Sequence, residues 1–442
     1  MKIGLIAMSG VRAWSEELNR AGLTMPGVME RGAVIASLPS LSLLTLAGLT
    51  PPDVEVEYHE IRDLRVDGHV AGRFDLVAIS TMSAQVFDAY QVADQYRALG
   101  AKVVMGGLHV TALPGEALRH CDAVVVGEAE PVWPRLVDDA RRGKLQHLYR
   151  ADADEEFDLA DAPMPRFDLL DIPKYNRLTV QTSRGCPHKC DFCASSILLT
   201  NGYKLKPAAK VIAEIRRIKQ LWDRPFIELA DDNSFASRRH AKKLLRELAA
   251  EEVHWFTEAD VSIAEDVELL DLMRASGCRQ VLIGLESPEQ SSLAGVELRR
   301  NWKLGQFPKY EAAVRTIQSR GITVNGCFIL GLDGHTPAIF DEVLTFADRT
   351  SLFDVQITVL TPFPGTPLYT RLLDEGRILE PGAWHKCTLF DVNYVPALMT
   401  VQELEAGLLS LAGKLYHPDA VKKRREGYFN GLDRTRLRPE RV

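Results

Sequence analysis

Short, apolar, β-branched runs alternate with helical stretches along most of this chain, and that alternation restricts the fold more than any other feature. In the first third, residues 2–8, 54–61, 76–80, 102–105 and 123–126 read as strands. Residues 38–49, 84–99 and 116–120 read as the helices between them. Strands that alternate with helices pair in parallel, because each crossover helix must return across the sheet before the next strand can join it. The expected fold is α/β, and its first unit is a doubly wound, Rossmann-like sheet. Ligands of such a sheet bind beyond the carboxyl ends of its strands. An acidic, proline-punctuated stretch at 151–175 then reads as a connector. After it the strand and helix pattern resumes, with strands expected at 178–182, 226–230, 254–259, 280–285, 322–330 and 354–360. Residues 240–251 and 310–319 are among the helices expected between them.

The first strand of this second unit leads into Arg184-Gly-Cys-Pro-His-Lys-Cys-Asp-Phe-Cys193. Cys186, Cys190 and Cys193 can wrap one face of a metal cluster from a single short loop, and thiolates are the usual ligands of iron–sulfur clusters. In a cubane of four irons, three cysteines leave one iron open to a small molecule. A zinc site completed by His188 would want a second Cys/His pair, which the sequence lacks. Thiols packed without metal are the remaining reading. The chain has seven cysteines; Cys121, Cys278, Cys327 and Cys387 are scattered and are expected to be small buried core residues. An odd count with three thiols in one loop is no disulfide framework, and points to a reducing compartment.

The Cys-x3-Cys-x2-Cys spacing, with Phe192 before the last cysteine, resembles the signature of the radical S-adenosylmethionine (SAM) superfamily. Upstream, three strand-end loops resemble the cobalamin-binding domain of the cobalamin-dependent radical SAM enzymes. They carry Thr81 and Ser83; Gly106, Gly107 and His109; and Gly127, Glu128 and Glu130. The six later strands resemble the partial (β/α)6 barrel of that superfamily, and their ends, from Asp231-Asp232-Asn233 to the Pro-Gly-Thr366 after the sixth, resemble the motif run of the cobalamin-dependent group. The resemblance implies a [4Fe–4S] cluster on Cys186, Cys190 and Cys193. It implies SAM held by Phe192, Glu258, Glu286 and Ser287, and cobalamin held by the eight residues of the three loops. Asp231 and Asp232 could equally cap the helix that follows them. Asp67-Gly-His69-Val-Ala-Gly72 spells the pattern through which other cobalamin proteins donate an axial histidine. It lies after the second strand rather than the first, so it is expected to be a turn, with cobalamin bound base-off. The implied organisation is a cobalamin-binding domain at 1–142, a linker at 143–177, a radical SAM barrel at 178–370 and a closing segment at 371–442. Trp384, His385 and Tyr394 of that segment are candidates for substrate contact or simple packing.

The activity implied is C-methylation of an unactivated carbon in a small molecule. Radical rearrangement, cyclisation or oxidation with the same cofactors is the alternative. An RNA methylthiotransferase would carry extra N-terminal cysteines and a C-terminal β-barrel, and neither pattern is present. A net charge of −7 argues against a general nucleic-acid binder. The uncharged stretch 32–52 is broken by serines and prolines and is expected to be a buried helix, not a membrane span. No leader is evident at the N-terminus, so the expected location is the cytoplasm, with an electron donor such as a flavodoxin or ferredoxin as partner. The basic run from 421 to 442 is expected to be a solvated tail.

Overall fold

The computed structural model describes residues 1–10, 13–20, 38–68, 72–151, 157–199 and 202–433. Two parallel six-stranded sheets organise them. The first contains β1 (Lys2–Met8), β2 (Glu55–Ile61), β3 (Leu76–Ser80), β4 (Lys102–Gly106), β5 (Ala123–Val126) and β6 (Leu148–Arg150), in the order β2-β1-β3-β4-β5-β6. Its central strands are buried except at their ends, as expected where helices cover both faces. Strand order reverses beside β1, so the crevice between β1 and β3 is the topological switch point, where such sheets take ligands. β6 lies beyond the strands expected from sequence, since three residues give no alternation to read. Of the helix expected at 116–120 only Glu116 and Ala117 are helical, as the end of the short helix Pro114–Ala117, which follows another short helix, Leu108–Ala112.

The second unit starts with β7 (Leu178–Val180), followed by a two-residue antiparallel hairpin of β8 (Ser183–Arg184) and β9 (Lys204–Leu205). β10 (Phe226–Leu229), β11 (His254–Ala259), β12 (Cys278–Glu286), β13 (Thr323–Leu330) and β14 (Asp354–Val359) complete a sheet of order β14-β13-β12-β11-β10-β7. All its neighbours pair in parallel, so consecutive strands curl side by side as an open barrel. Residues of period two split between its faces. Val281, Ile283 and Leu285 of β12 pack outward into a core with the helices, whereas Leu282 and Gly284 face the interior.

Helix Val401–Leu415 carries a full capping box from Thr400 and Glu403 and buries Leu404, Leu408, Leu411 and Leu415 against the barrel. Trp384 and Cys387 reach the other way and join the core on one face of the first sheet. The C-terminal segment therefore packs on both units. Part of the basic run is also built in, against expectation. Residues Pro418–Asn430 form a helix, and Arg424 is buried, donating to the carbonyls of Leu352 (3.2 Å) and Leu415 (2.9 Å). Residues 434–442 lie outside the described residues, as do 32–37 of the 32–52 stretch, whose described part forms helix Leu41–Leu49 capped by Ser40. Among the described residues, no helix is long and apolar enough to cross a membrane.

Candidate functional site

The two carboxyl-end surfaces of the sheets face each other across the cysteine loop. On the barrel side, Asp231 leaves β10 and is almost fully buried. It accepts from the backbone N–H groups of Thr182 (2.7 Å) and Ser183 (2.8 Å) and from the Ser234 hydroxyl (2.8 Å). Asp232 accepts from the N–H of Gly185 (3.0 Å) and from the Ser195 hydroxyl. Neither is a helix cap; both fasten the start of the cysteine loop to the barrel. The far side of the loop is fastened by backbone. Asp191 N–H donates to Val296 (3.0 Å) and Leu298 N–H to Lys189 (2.9 Å). His188, the residue a zinc site would need, is held between Asp260 (3.5 Å) and Glu297 (3.4 Å) and stacks on Trp302.

So anchored, Cys186, Cys190 and Cys193 line a cavity of about 320 Å³ at the barrel mouth, together with Phe192, Asp232, Glu258, Glu286 and Lys303. Among the described residues no three His, Cys, Asp or Glu side chains converge closely enough to hold a single metal ion. The all-thiol donor set of the trio suits an iron–sulfur cluster. Cys327, expected in the core, also faces this cavity, because it lies on the inner face of β13.

Glu258 projects from β11 into cavity solvent while protein surrounds it. Loss of bulk water, followed by the fields of Glu228, Asp232, Asp231 and Glu286, pushes its pKa up to about 8. A cation entering beside it would draw off the proton. Glu286 ends β12 in a left-handed conformation (φ 61°) at a break in the β12–β13 register. Its carboxylate folds back over Gly284, where a Cβ would stand 2.6 Å from Oε1, and pairs with Lys303 at 2.6 Å. Burial pulls the Lys303 pKa down, but the charge of Glu286, joined by that of Cys190, more than offsets it, so the ammonium stays charged. Ser287, the neighbour, does not line the cavity. It is fully buried, its hydroxyl 3.0 Å from His335 Nε2. His335 Nδ1 accepts from Leu332 N–H (3.2 Å), which leaves Nε2 to carry the proton and donate to Ser287. Burial lowers the His335 pKa to about 4, so the ring is neutral.

At the carboxyl edge of the first sheet the donors are mostly backbone and small hydroxyls. Thr81 and Ser83 are buried after β3, and a Cβ on Gly107 (φ 108°) would strike the Thr81 carbonyl oxygen at 2.7 Å. His109 is wholly enclosed. Ser83 Oγ lies 3.1 Å from its Nδ1 and Glu116 3.4 Å from its Nε2, with Tyr90 and Trp384 edge-on. Both ring nitrogens are engaged, so His109 closes the crevice floor and cannot serve as an axial ligand. The buried Oε1 of Gln85, just beyond Ser83, has no partner in the protein. A crevice of glycine, amide and hydroxyl with one orphaned acceptor fits a large polar-rimmed ring bound without a protein ligand. Gly127 N–H donates to Thr111 (3.0 Å). Glu128 and Glu130 turn away from the crevice to Arg184 of the barrel, at 2.7 and 2.6 Å. Asp67 ends the short helix Leu64–Asp67 after β2 and accepts from the N–H groups of Arg62 (2.6 Å) and Asp63 (3.0 Å); His69 and the two residues after it lie outside the described residues.

Residues 180–347 match the model of the radical SAM superfamily, residues 48–137 that of the B12 binding domain, and residues 366–441 a domain of unknown function, DUF4070. An uncharacterized methyltransferase of Synechocystis sp. is 30% identical over 86% of this chain and 71% of its own length. The chain belongs to the cobalamin-dependent radical SAM family. Its cofactors are a [4Fe–4S] cluster, SAM and cobalamin. The bacteriochlorophyllide d C-12(1)-methyltransferase of Chlorobaculum tepidum is 27% identical over 90% of this chain and 87% of its own. The hopanoid C-2 methylase of Rhodopseudomonas palustris is 28% identical over 92% and 76%. The fold is that of the radical SAM methyltransferase TsrM from Kitasatospora setae, solved with cobalamin and a [4Fe–4S] cluster. That match has a TM-score of 0.69 at 16% identity, covering 95% of this chain and 89% of that one.

Proposed function

We propose that this radical SAM enzyme moves a methyl group from SAM to an unactivated carbon of a small biosynthetic substrate. The observation that carries the reading is the direct apposition of the three-cysteine loop and the cobalamin-type crevice, joined through Arg184. When bound, the cluster supplies the electron that cleaves one SAM to a carbon-centred radical, and cobalamin carries the methyl group drawn from another SAM. The residues of the chain hold, orient and exclude. Cys186, Cys190 and Cys193 would hold the cluster, and Phe192 would place its backbone beside the adenine. Glu258 is the cavity carboxylate best placed for the ammonium of SAM, since among the described residues no hydrogen bond occupies it. Glu286 is already neutralised by Lys303 and serves to shape the pocket, while Ser287 braces it from behind through His335. Thr81, Ser83, Gly106, Gly107 and Gly127 would cradle cobalamin, with His109 sealing the crevice below. Leu282, Ile329, Phe363 and Leu389 form an apolar wall that keeps water from a reactive carbon. A reducing, cytoplasmic setting and a flavodoxin- or ferredoxin-type donor suit this chemistry.

Methyl-labelled SAM tests the reading. With its true substrate the enzyme should form 5′-deoxyadenosine and S-adenosylhomocysteine in comparable amounts and place label in the product. Turnover with 5′-deoxyadenosine alone, and no added methyl, would reject methylation. It would favour radical cyclisation or oxidation, the reading supported by a 24% identical relative named anaerobic magnesium-protoporphyrin IX monomethyl ester cyclase in Rubrivivax gelatinosus.

A further inference from the structure

The cysteine-bearing connection between β8 and β9 has a neck, and both strands of that neck are tied to one carboxylate of the other domain. Arg184 and Lys204 are register partners across the two-residue hairpin. Arg184 Nη1 donates to Glu128 Oε1 (2.7 Å) while Lys204 Nζ donates to Glu128 Oε2 (2.7 Å). The second arm of the Arg184 guanidinium reaches Glu130 (2.6 Å) and Gln181 (2.9 Å), and Lys204 also meets the Phe157 carbonyl (3.0 Å). All four charged side chains are largely withdrawn from water, with relative exposures of 9 to 16%. Two cations and two anions cancel.

A desolvated network of this kind adds little stability over a well-packed apolar contact of the same volume, because removing the charges from water costs about what their attraction returns. Its distinctive property is geometric. The planar guanidinium fork accepts two carboxylates only at a fixed separation and orientation, which a point-charge ammonium does not enforce. The network sits two residues before Cys186 on one side and directly after Gly127 on the other. Resting on the cofactor sites proposed above, we propose that Arg184, Lys204, Glu128 and Glu130 form a charge clamp that fixes the separation of the cluster from cobalamin. The two glutamates are then positioning residues and not cobalamin ligands; the loop meets that cofactor through backbone.

The test uses the full chain with both cofactors loaded, comparing the wild type with R184K and E128Q. Metal and cobalamin content are measured first, since loss of either cofactor in the wild type would fail the site assignments and not the clamp. The readout is microwave power saturation of the cobalt(II) paramagnetic signal with the cluster reduced and oxidised. In the wild type the reduced cluster should raise the half-saturation power. In both variants, at full cofactor content, that enhancement should fall several-fold. An enhancement equal to wild type in both variants overturns the clamp. Hydrogen exchange on the cofactor-free chain covers a variant that will not load. E128Q should speed exchange about tenfold in residues 185–199, across the interface from the substitution. Faster exchange confined to residues 123–130 would overturn the proposal.

Discussion

The carboxyl edges of the two sheets are built from opposite materials. The barrel mouth presents side chains whose charge or lone pairs are unspent, three thiols and the cavity carboxylate of Glu258, beside a Glu286–Lys303 pair that neutralises itself. The edge of the first sheet presents backbone, hydroxyls and glycine, and its charged residues are already paired with one another or with the barrel. The difference follows from what each edge must hold. A metal cluster and a small cation are recognised by point charges and lone pairs, which only particular side chains supply. A large ring is recognised by shape, which requires room for close approach more than any particular donor.

The contrast predicts unequal responses to substitution. The largest effect should come from Cys190→Ala, which should abolish 5′-deoxyadenosine formation, whereas Cys121→Ala and Cys387→Ala should leave it near wild type. Assay with sodium dithionite as reductant checks this, and retained activity in Cys190→Ala would undo the assignment.

Glu258→Gln should come next, weakening SAM binding about 10- to 100-fold, the weight of one charge-assisted hydrogen bond. Because the Glu258 pKa lies near 8 before SAM arrives, the carboxyl is mostly protonated at pH 6 to 7. Binding a cation there must release a proton, so affinity should rise with pH from 6 to 7.5, by up to about tenfold per pH unit. Calorimetry in buffers of different ionisation enthalpy should detect the released proton in wild type and not in Glu258→Gln. The same raised pKa has a stability consequence. Between about pH 4.5 and 8 the folded state keeps a proton that the unfolded chain gives up, so this group's contribution falls as pH rises through that window.

Gly107→Ala probes the other edge. The added methyl would meet the Thr81 carbonyl in a backbone conformation that alanine disfavours. Unfolding midpoints should drop by about 1–3 kcal/mol equivalent and cobalamin uptake should fall. Cobalamin-independent cleavage of SAM should survive, because the barrel holds its own cofactors. The smallest effect is expected at Ser287→Ala. Loss of its hydrogen bond from His335 should cost about 1 kcal/mol of stability with SAM affinity unchanged. A tenfold weaker affinity would instead place Ser287 on SAM.

This contrast also explains what could be read from sequence. The cysteine loop was legible because its ligands are local, four and three residues apart. So were eleven of the strands, whose apolar runs declare themselves, and the carboxylates at barrel strand ends. β6, β8 and β9 were missed because two or three residues carry no period. Cys327 was placed in the core although its alternation with Phe328 puts it on the inner face of β13; inside an open barrel the inner face is the cavity. Ser287 was placed on SAM by the family resemblance, yet one step past Glu286 reverses the direction of a side chain, and Ser287 packs against His335. The Arg184–Glu128 contact joins residues 56 positions apart, and no local pattern reports such a pairing. Arg424 was read with its basic neighbours as solvated, but one face of a terminal helix buries it.

The central claim is that one chain carries two separate cofactor sites, one made by three cysteines and the other by the backbone of a parallel sheet. The most direct test replaces Cys186, Cys190 and Cys193 together by alanine in the full chain, and measures iron, sulfide and cobalamin after anaerobic reconstitution. The wild type should hold about four irons, four sulfides and one cobalamin per chain. The triple variant should hold no cluster while keeping the full complement of cobalamin with an unchanged base-off spectrum. Four irons retained in the triple variant, or a wild type that takes up no cobalamin, would contradict the account.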